Sequence, residues 1–270
     1  MTATPAASVS RLRADDTQAR HRTRLRFTKL GKVRFTSHRD VARLFERALR
    51  KAAIPVAYTE GFSPRPKIAF GLALSTGHES LAEYLDIALA NHGDVDVTEV
   101  PGRLSPALPV GIDVVAAAPV QPGDASLQES VTSCTWRIEL PDTDLECAER
   151  LVTTALAADE LVLSRIRKGK EVIDDLRPAV LSLVTDGPTD RGVALLAELA
   201  TQPRGLRPNE LLQILDPSLE EGRVLRLAQW TVRDGVRGEP LALREDSSVV
   251  RHDSQHLLDP FIRGARTVDA

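Results

Sequence analysis

Cysteine is nearly missing from this 270-residue chain, which has only Cys134 and Cys147. Two thiols cannot build a disulfide framework, a four-cysteine zinc site or an iron–sulfur cluster. Electron transfer and radical chemistry carried by this chain alone are therefore not expected, and a reducing, cytoplasmic setting is. No apolar run approaches the roughly 20 residues that span a bilayer, and the first twenty residues lack the apolar core of a secretory signal, so neither membrane insertion nor secretion is expected. A P-loop and a glycine-rich dinucleotide fingerprint are both missing, and no cofactor is expected. His78 stands near Glu79, Glu83 and Asp86, but without the tight spacing of a ligand set; a surface turn and no metal is the expectation there. Aromatic residues make up only 4% of the chain.

What is there is unevenly placed. Net charge is −3, yet residues 20–67 carry fourteen Lys/Arg against three Asp/Glu, whereas residues 68–270 carry nineteen against thirty-three. Six of the ten aromatic residues (Phe27, Phe35, Phe45, Tyr58, Phe62 and Phe70) fall in or beside the basic stretch. Such asymmetry points to a polyanion surface on one half of the molecule, with nucleic acid the commonest polyanion. The competing reading is an ordinary aromatic core beneath a solvated charged face.

The pattern divides the chain into four parts. Residues 1–22 lack periodicity and read as a disordered tail. In residues 23–120, the alternation from Arg24 puts Leu25 and Phe27 on one strand face and Arg24, Arg26 and Thr28 on the other. Gly31 allows a turn or bulge before the apolar pair Val33 and Phe35. Ser37–Ala52 is the clearest helix, with Val41, Leu44, Phe45, Ala48, Leu49 and Ala52 on one face and Ser37 and Asp40 spaced as a cap. Strands are expected at Ile54–Tyr58, Lys67–Leu74, Glu83–Leu89 and Ile112–Ala118, with a shorter helix near Val97–Leu108. Gln121–Ser130 reads as a linker.

Residues 131–235 repeat the element order. Strands are expected at Thr132–Leu140, Glu160–Arg167, Ala179–Thr185, Val193–Ala200 and Val224–Val232, and helices at Asp144–Ala158 and Pro208–Leu215. Strand, helix, strand, strand, helix, strand is the order of a ferredoxin-like α/β sandwich, so the expected fold is α+β, two such halves in tandem between disordered tails. Residues 236–270 read as a poorly ordered tail in which Leu257, Leu258, Phe261 and Ile262 could dock.

Three constellations carry the functional reading. Arg39, Arg43, Arg47 and Arg50 recur at helical spacing and form one cationic ridge suited to phosphate contact. In Gly61-Phe62-Ser63-Pro64-Arg65-Pro66-Lys67 two prolines stiffen a loop that can present Arg65 and Lys67 to an anion, with Phe62 or Tyr58 able to stack on a base. Arg165-Ile166-Arg167-Lys168-Gly169-Lys170 reads as a basic hairpin tip with Gly169 in the turn. The nucleic-acid-binding candidates are thus Lys32, Arg34, Arg39, Arg43, Arg47, Arg50, Phe62, Arg65, Lys67, Arg167, Lys168 and Lys170. His38, in the first helical turn, is the one weak catalytic candidate, as a general base or a hydrogen-bond donor.

Lys32-Val33-Arg34-Phe35-Thr36-Ser37-His38-Arg39-Asp40, Gly61 to Phe70, and Glu79-Ser80 with Glu83-Tyr84-Leu85-Asp86 resemble the radical-SAM-associated domain family of unknown function, over approximately residues 23–235. The Lys168-Gly169-Lys170 and Leu176-Arg177-Pro178 pieces resemble its second block. Members occur fused behind a radical SAM protein or as a separate chain, the latter typical of actinobacteria. The family usually shows Asn at the position of Ser63, and the Asp174-Asp175 pair departs from its second block. The resemblance implies association with a radical SAM protein and with RNA metabolism. This chain has no Cys-x3-Cys-x2-Cys motif, so radical chemistry would belong to the partner.

The expectation is therefore a non-catalytic RNA-binding or adaptor protein holding structured RNA, tRNA or rRNA, for modification or processing. One alternative is a metal-independent RNA-cleaving enzyme using His38 beside Lys32 and Tyr58, by analogy of fold. The other is a protein-interaction scaffold whose acidic second half meets a basic partner. Sequence sets no oligomeric state.

Overall fold

The computed structural model describes residues 22–90, 95–121, 123–167 and 169–241. Residues 1–21 and 242–270 of the expected tails, with the docking residues 257–262, and Lys168 fall outside these; Val236–Gly238, expected in the poorly ordered tail, is instead a strand that pairs with Thr231–Arg233. The elements in chain order are β1 (Arg22–Lys29), α1 (His38–Lys51), β2 (Ile68–Phe70), β3 (Glu79–Ala88), α2 (Val100–Leu104), β4 (Val114–Pro119), α3 (Leu127–Ser130) and β5 (Val131–Pro141). There follow α4 (Leu145–Ala157), β6 (Val162–Arg167), β7 (Lys170–Asp175), β8 (Val180–Thr189), β9 (Gly192–Ala200), α5 (Pro208–Leu215), β10 (Val224–Arg233) and β11 (Val236–Gly238). The fold is mixed α/β with mostly antiparallel strands and few helices. Among the described residues no helix is long and apolar enough to cross a membrane.

Two compact units divide the chain. The first takes the described residues of 1–76 and 83–129, the second 77–82 and 130–240. In the first unit β1 lies between β4 and β3, and β2 pairs antiparallel with β3. Helix α1 buries Val41, Phe45, Ala48 and Leu49. The Phe45 ring meets Phe27 edge-on at 4.8 Å and Phe70 at 6.0 Å, and each such buried aromatic contributes roughly 1.5–3 kcal/mol by leaving water. The predicted strand Ile54–Tyr58 is reduced to two isolated bridges, Val56 to Leu89 and Tyr58 to Pro66. The expected linker holds α3, whose Leu127 is buried.

Two expectations about faces are corrected. Alternation put Arg24 and Thr28 outward on β1, but both are 3% exposed. The surface turn expected around His78, Glu79, Glu83 and Asp86 is instead the start and body of β3, all ten residues of which are buried. Central strands hide both faces, so period-two alternation no longer separates inside from outside. The charges survive burial because they are paired. Arg24 grips Asp86 with two bonds, Nε to Oδ1 at 2.7 Å and Nη2 to Oδ2 at 3.0 Å.

In the second unit the first residues of β3 pair in parallel with β10, and the strand order continues β10-β5-β9-β8 with antiparallel neighbours. Glu79 there bonds Arg223 Nε, and His78 Nε2 lies 2.8 Å from Glu221 Oε1. Strand β6, expected in the main sheet, pairs only with β7 as a separate two-stranded ribbon. The ribbon opens and closes at one point, where Leu176 N donates to Leu161 O at 2.8 Å.

Arg204 ties the base of this ribbon to α5. Its Nε reaches Asp174 at 3.2 Å and its Nη groups reach both oxygens of Glu210 at 2.9 Å. Burial alone would push the Glu210 carboxyl up, but hydrogen bonds from Arg204 and the Arg207 amide, together with their charge, outweigh it and hold the group below its ordinary value. A carboxyl lowered in the folded state adds stability above its unfolded pKa, about 4.3, and loses it as pH falls further. Denaturant midpoints measured at about pH 6 and about pH 3.5 should therefore differ less in Glu210→Gln than in the wild type. Equal differences would remove Glu210 from the acid limb.

Candidate nucleic-acid interface

The arginine ridge rests on a well-capped helix. Asp40 N donates to Ser37 Oγ at 3.2 Å, and Ser37 Oγ in turn donates to Asp40 Oδ2 at 2.7 Å. This is the predicted cap. The Ser37 hydroxyl, aided by Arg43 and Arg39, holds the Asp40 carboxyl below its usual range. Arg43 pairs with Asp40 at 3.1 Å, a contact open to water. Arg39, Arg43, Arg47 and Arg50 are all exposed. Among the described residues Arg39, Arg47 and Arg50 meet no carboxylate within salt-bridge distance.

A five-residue 3-10 turn, Gly31–Phe35, precedes the helix and contains the apolar pair Val33 and Phe35. Val33 does pack partly against the core of the first unit. Phe35 does not: it is 63% exposed, with the Arg34 guanidinium 4.7 Å from its ring centre. The turn is held from below by Lys29, 3% exposed, whose Nζ donates to the carbonyls of Arg34 at 3.1 Å and Thr36 at 3.0 Å. Lys29 was not singled out in the sequence. Its place at the end of β1, just before a glycine-led turn, was the only signal. Lys32 is exposed on the same turn.

The proline loop stands out from the unit. Thr59 N donates to Arg65 O at 2.8 Å and Arg65 N to Thr59 Oγ1 at 3.0 Å, which closes its neck. Residues 58–65 are exposed, Pro66 is buried and Lys67 is half-buried. Gly61 sits at φ +121°, in backbone that other residues seldom adopt. Phe62 has no cover at all, and Tyr58 is 42% exposed.

His38 is exposed at the mouth of a cavity of about 20 Å3, room for a single water. Its ring meets Phe70 edge-on at 5.1 Å. Buried Lys29, Glu83 and Tyr84 line the same cavity, whereas the expected companions Lys32 and Tyr58 do not. Among the described residues no group of three His, Cys, Asp or Glu could hold a metal ion.

In the second unit Gly169 turns the ribbon tip at φ +75°, and Lys170 is exposed. The Arg167 side chain and Lys168 lie outside what is described. An open groove of about 360 Å3, formed by α4 and α5 and lined by Cys147, Leu151, Leu161 and Ile214 among others, contains none of the predicted site residues.

Nine of the twelve predicted contact residues thus lie in the first unit, where the buried Lys29 also holds the turn that exposes Phe35. No curated protein matches the chain. Residues 22–208, more than half of the sequence, match the family described as "Uncharacterized protein conserved in bacteria (DUF2344)", and the chain belongs to that family.

Proposed function

We propose that this protein binds RNA through its first unit and acts as an adaptor, presenting tRNA or rRNA to a partner's modification or processing chemistry. The observation that carries this reading is that three aromatic residues of the basic stretch, Phe35, Tyr58 and Phe62, are exposed among exposed cations. In the competing reading all of them would be core. A cytoplasmic setting follows from the scarcity of cysteine, and a radical SAM partner and the stand-alone actinobacterial type from the sequence resemblance. A ferredoxin-like reading of both units is supported by their strand orders, β4-β1-β3-β2 and β10-β5-β9-β8, with the β6–β7 ribbon as an insertion.

Phosphate contacts make affinity salt-dependent, each contributing about −0.7 to the slope of log K against log salt on single strands. Removing Arg39, Arg43, Arg47 and Arg50 together, each replaced by Gln, should flatten the slope by up to about 3 for labelled tRNA and rRNA fragments. An unchanged slope would make the ridge a plain solvated face.

A second reading, cleavage of the bound RNA, is favoured by the position of His38 over the cavity shared with Lys29, Glu83 and Tyr84. RNA recovered intact after incubation with the wild type sinks it. Cutting by the wild type but not by His38→Ala would establish it in place of the adaptor role.

A further inference from the structure

We infer that the 3-10 turn Gly31–Phe35 is a stacking platform for an unpaired base, so that the ligand of the first unit is single-stranded or looped RNA rather than duplex. The inference rests on the RNA reading above and narrows it. Phe35 is 63% exposed although it is a large apolar side chain on a short, rigid turn. Arg34 covers part of its ring with a guanidinium at 4.7 Å, which supplies charge and a second planar surface. Bases in a duplex are already stacked and offer no face to such a ring, whereas a splayed base can stack on it and leave its phosphate to nearby cations.

Rigidity strengthens the argument. A stacking surface gains most when it need not be ordered on binding. The two bonds from the buried Lys29 ammonium to the carbonyls of Arg34 and Thr36 fix the backbone on both sides of Phe35 before any ligand arrives. Charge complementarity argues for a polyanion over an apolar protein segment: Lys32 and Arg34 are on the turn itself, and Arg39 and Arg43 are in the first turns of the helix it leads into. Phe62, wholly exposed on its own loop beside Arg65, offers a second ring of the same kind.

The test compares full-length protein binding to labelled oligouridylate and to a blunt RNA duplex carrying the same number of phosphates. The expected result is preference for the single strand, a loss of about tenfold in affinity for it on Phe35→Ala with the salt slope unchanged, and recovery in Phe35→Trp. Phe35 is on the surface, so the alanine variant should keep the wild-type melting curve, which serves as the folding control. Equal binding of strand and duplex with a neutral Phe35→Ala overturns the platform while leaving RNA binding in place. Failure of the wild type to bind either RNA at low salt overturns the RNA reading and the platform with it.

Discussion

Replacing Asp86 by alanine is expected to destabilise the protein by about 3–5 kcal/mol, because it takes two charge-assisted bonds from a guanidinium with almost no access to water. Arg24 and Asp86 are each 3% exposed, and their paired bonds at 2.7 and 3.0 Å join β1 to β3. Arg22 adds a weaker contact, its Nη1 lying 3.8 Å from Asp86 Oδ2. The loss is larger than the net value of the pair, since much of it is the cost of leaving a buried guanidinium short of two hydrogen bonds. Arg24→Met combined with Asp86→Leu removes both charges and should recover most of it, because well-packed apolar substitutes for a buried pair are often neutral or better. Denaturant unfolding of the two single variants and the double measures this directly. A mild single and a severe double would mean that the pair is a net source of stability rather than a tolerated burial.

Gly111→Ala should cost on the order of 3 kcal/mol or more, for two reasons that add. Gly111 sits at φ +97°, where side chains are strained, and an added Cβ would come within 2.2 Å of the Leu30 carbonyl oxygen. That neighbour is backbone, which cannot swing aside. Leu30 N also donates to Gly111 O at 2.8 Å, and Gly31 begins the turn that carries Phe35. Whatever relief the chain finds must therefore move that turn. Single-stranded RNA affinity should fall together with thermal stability in this variant, in contrast to Phe35→Ala, which should lower affinity alone. A Gly111→Ala protein with wild-type melting would show that Leu30 yields easily.

How much was readable in advance depended on whether the cause was local. Helix α1 was legible to within a residue or two because its apolar face and its Ser37 cap are both contained in the same short run. The strands β5, β9 and β10 were legible because each is a long run rich in apolar residues between turn signals. By contrast, the burial of Arg24 is decided by Asp86, 62 residues later, and no periodicity connects them. The exposure of Phe35 has a related cause. Val33 and Phe35 have strand spacing, but Lys29 bonds to the backbone at Arg34 and Thr36 and the segment is a turn, which leaves one of the two outside. The arginine ridge and the proline loop were found because charge and proline act through composition. The platform between β1 and α1 depended on a single buried ammonium, which composition cannot distinguish from a solvated one.

The ribbon of β6 and β7 has a bearing on engineering. Its ladder is its own, and the chain enters and leaves it at Leu161 and Leu176, where Leu176 N donates to Leu161 O and Leu161 N to Asp175 Oδ1. The β5-β9-β8 ladder would keep every one of its backbone bonds if the ribbon were lengthened, trimmed or exchanged. Arg165 and Arg204, which share Asp174, would be the contacts to rebuild. The tip around Gly169 is thus a natural grafting point for a reporter peptide or an affinity handle on the second unit.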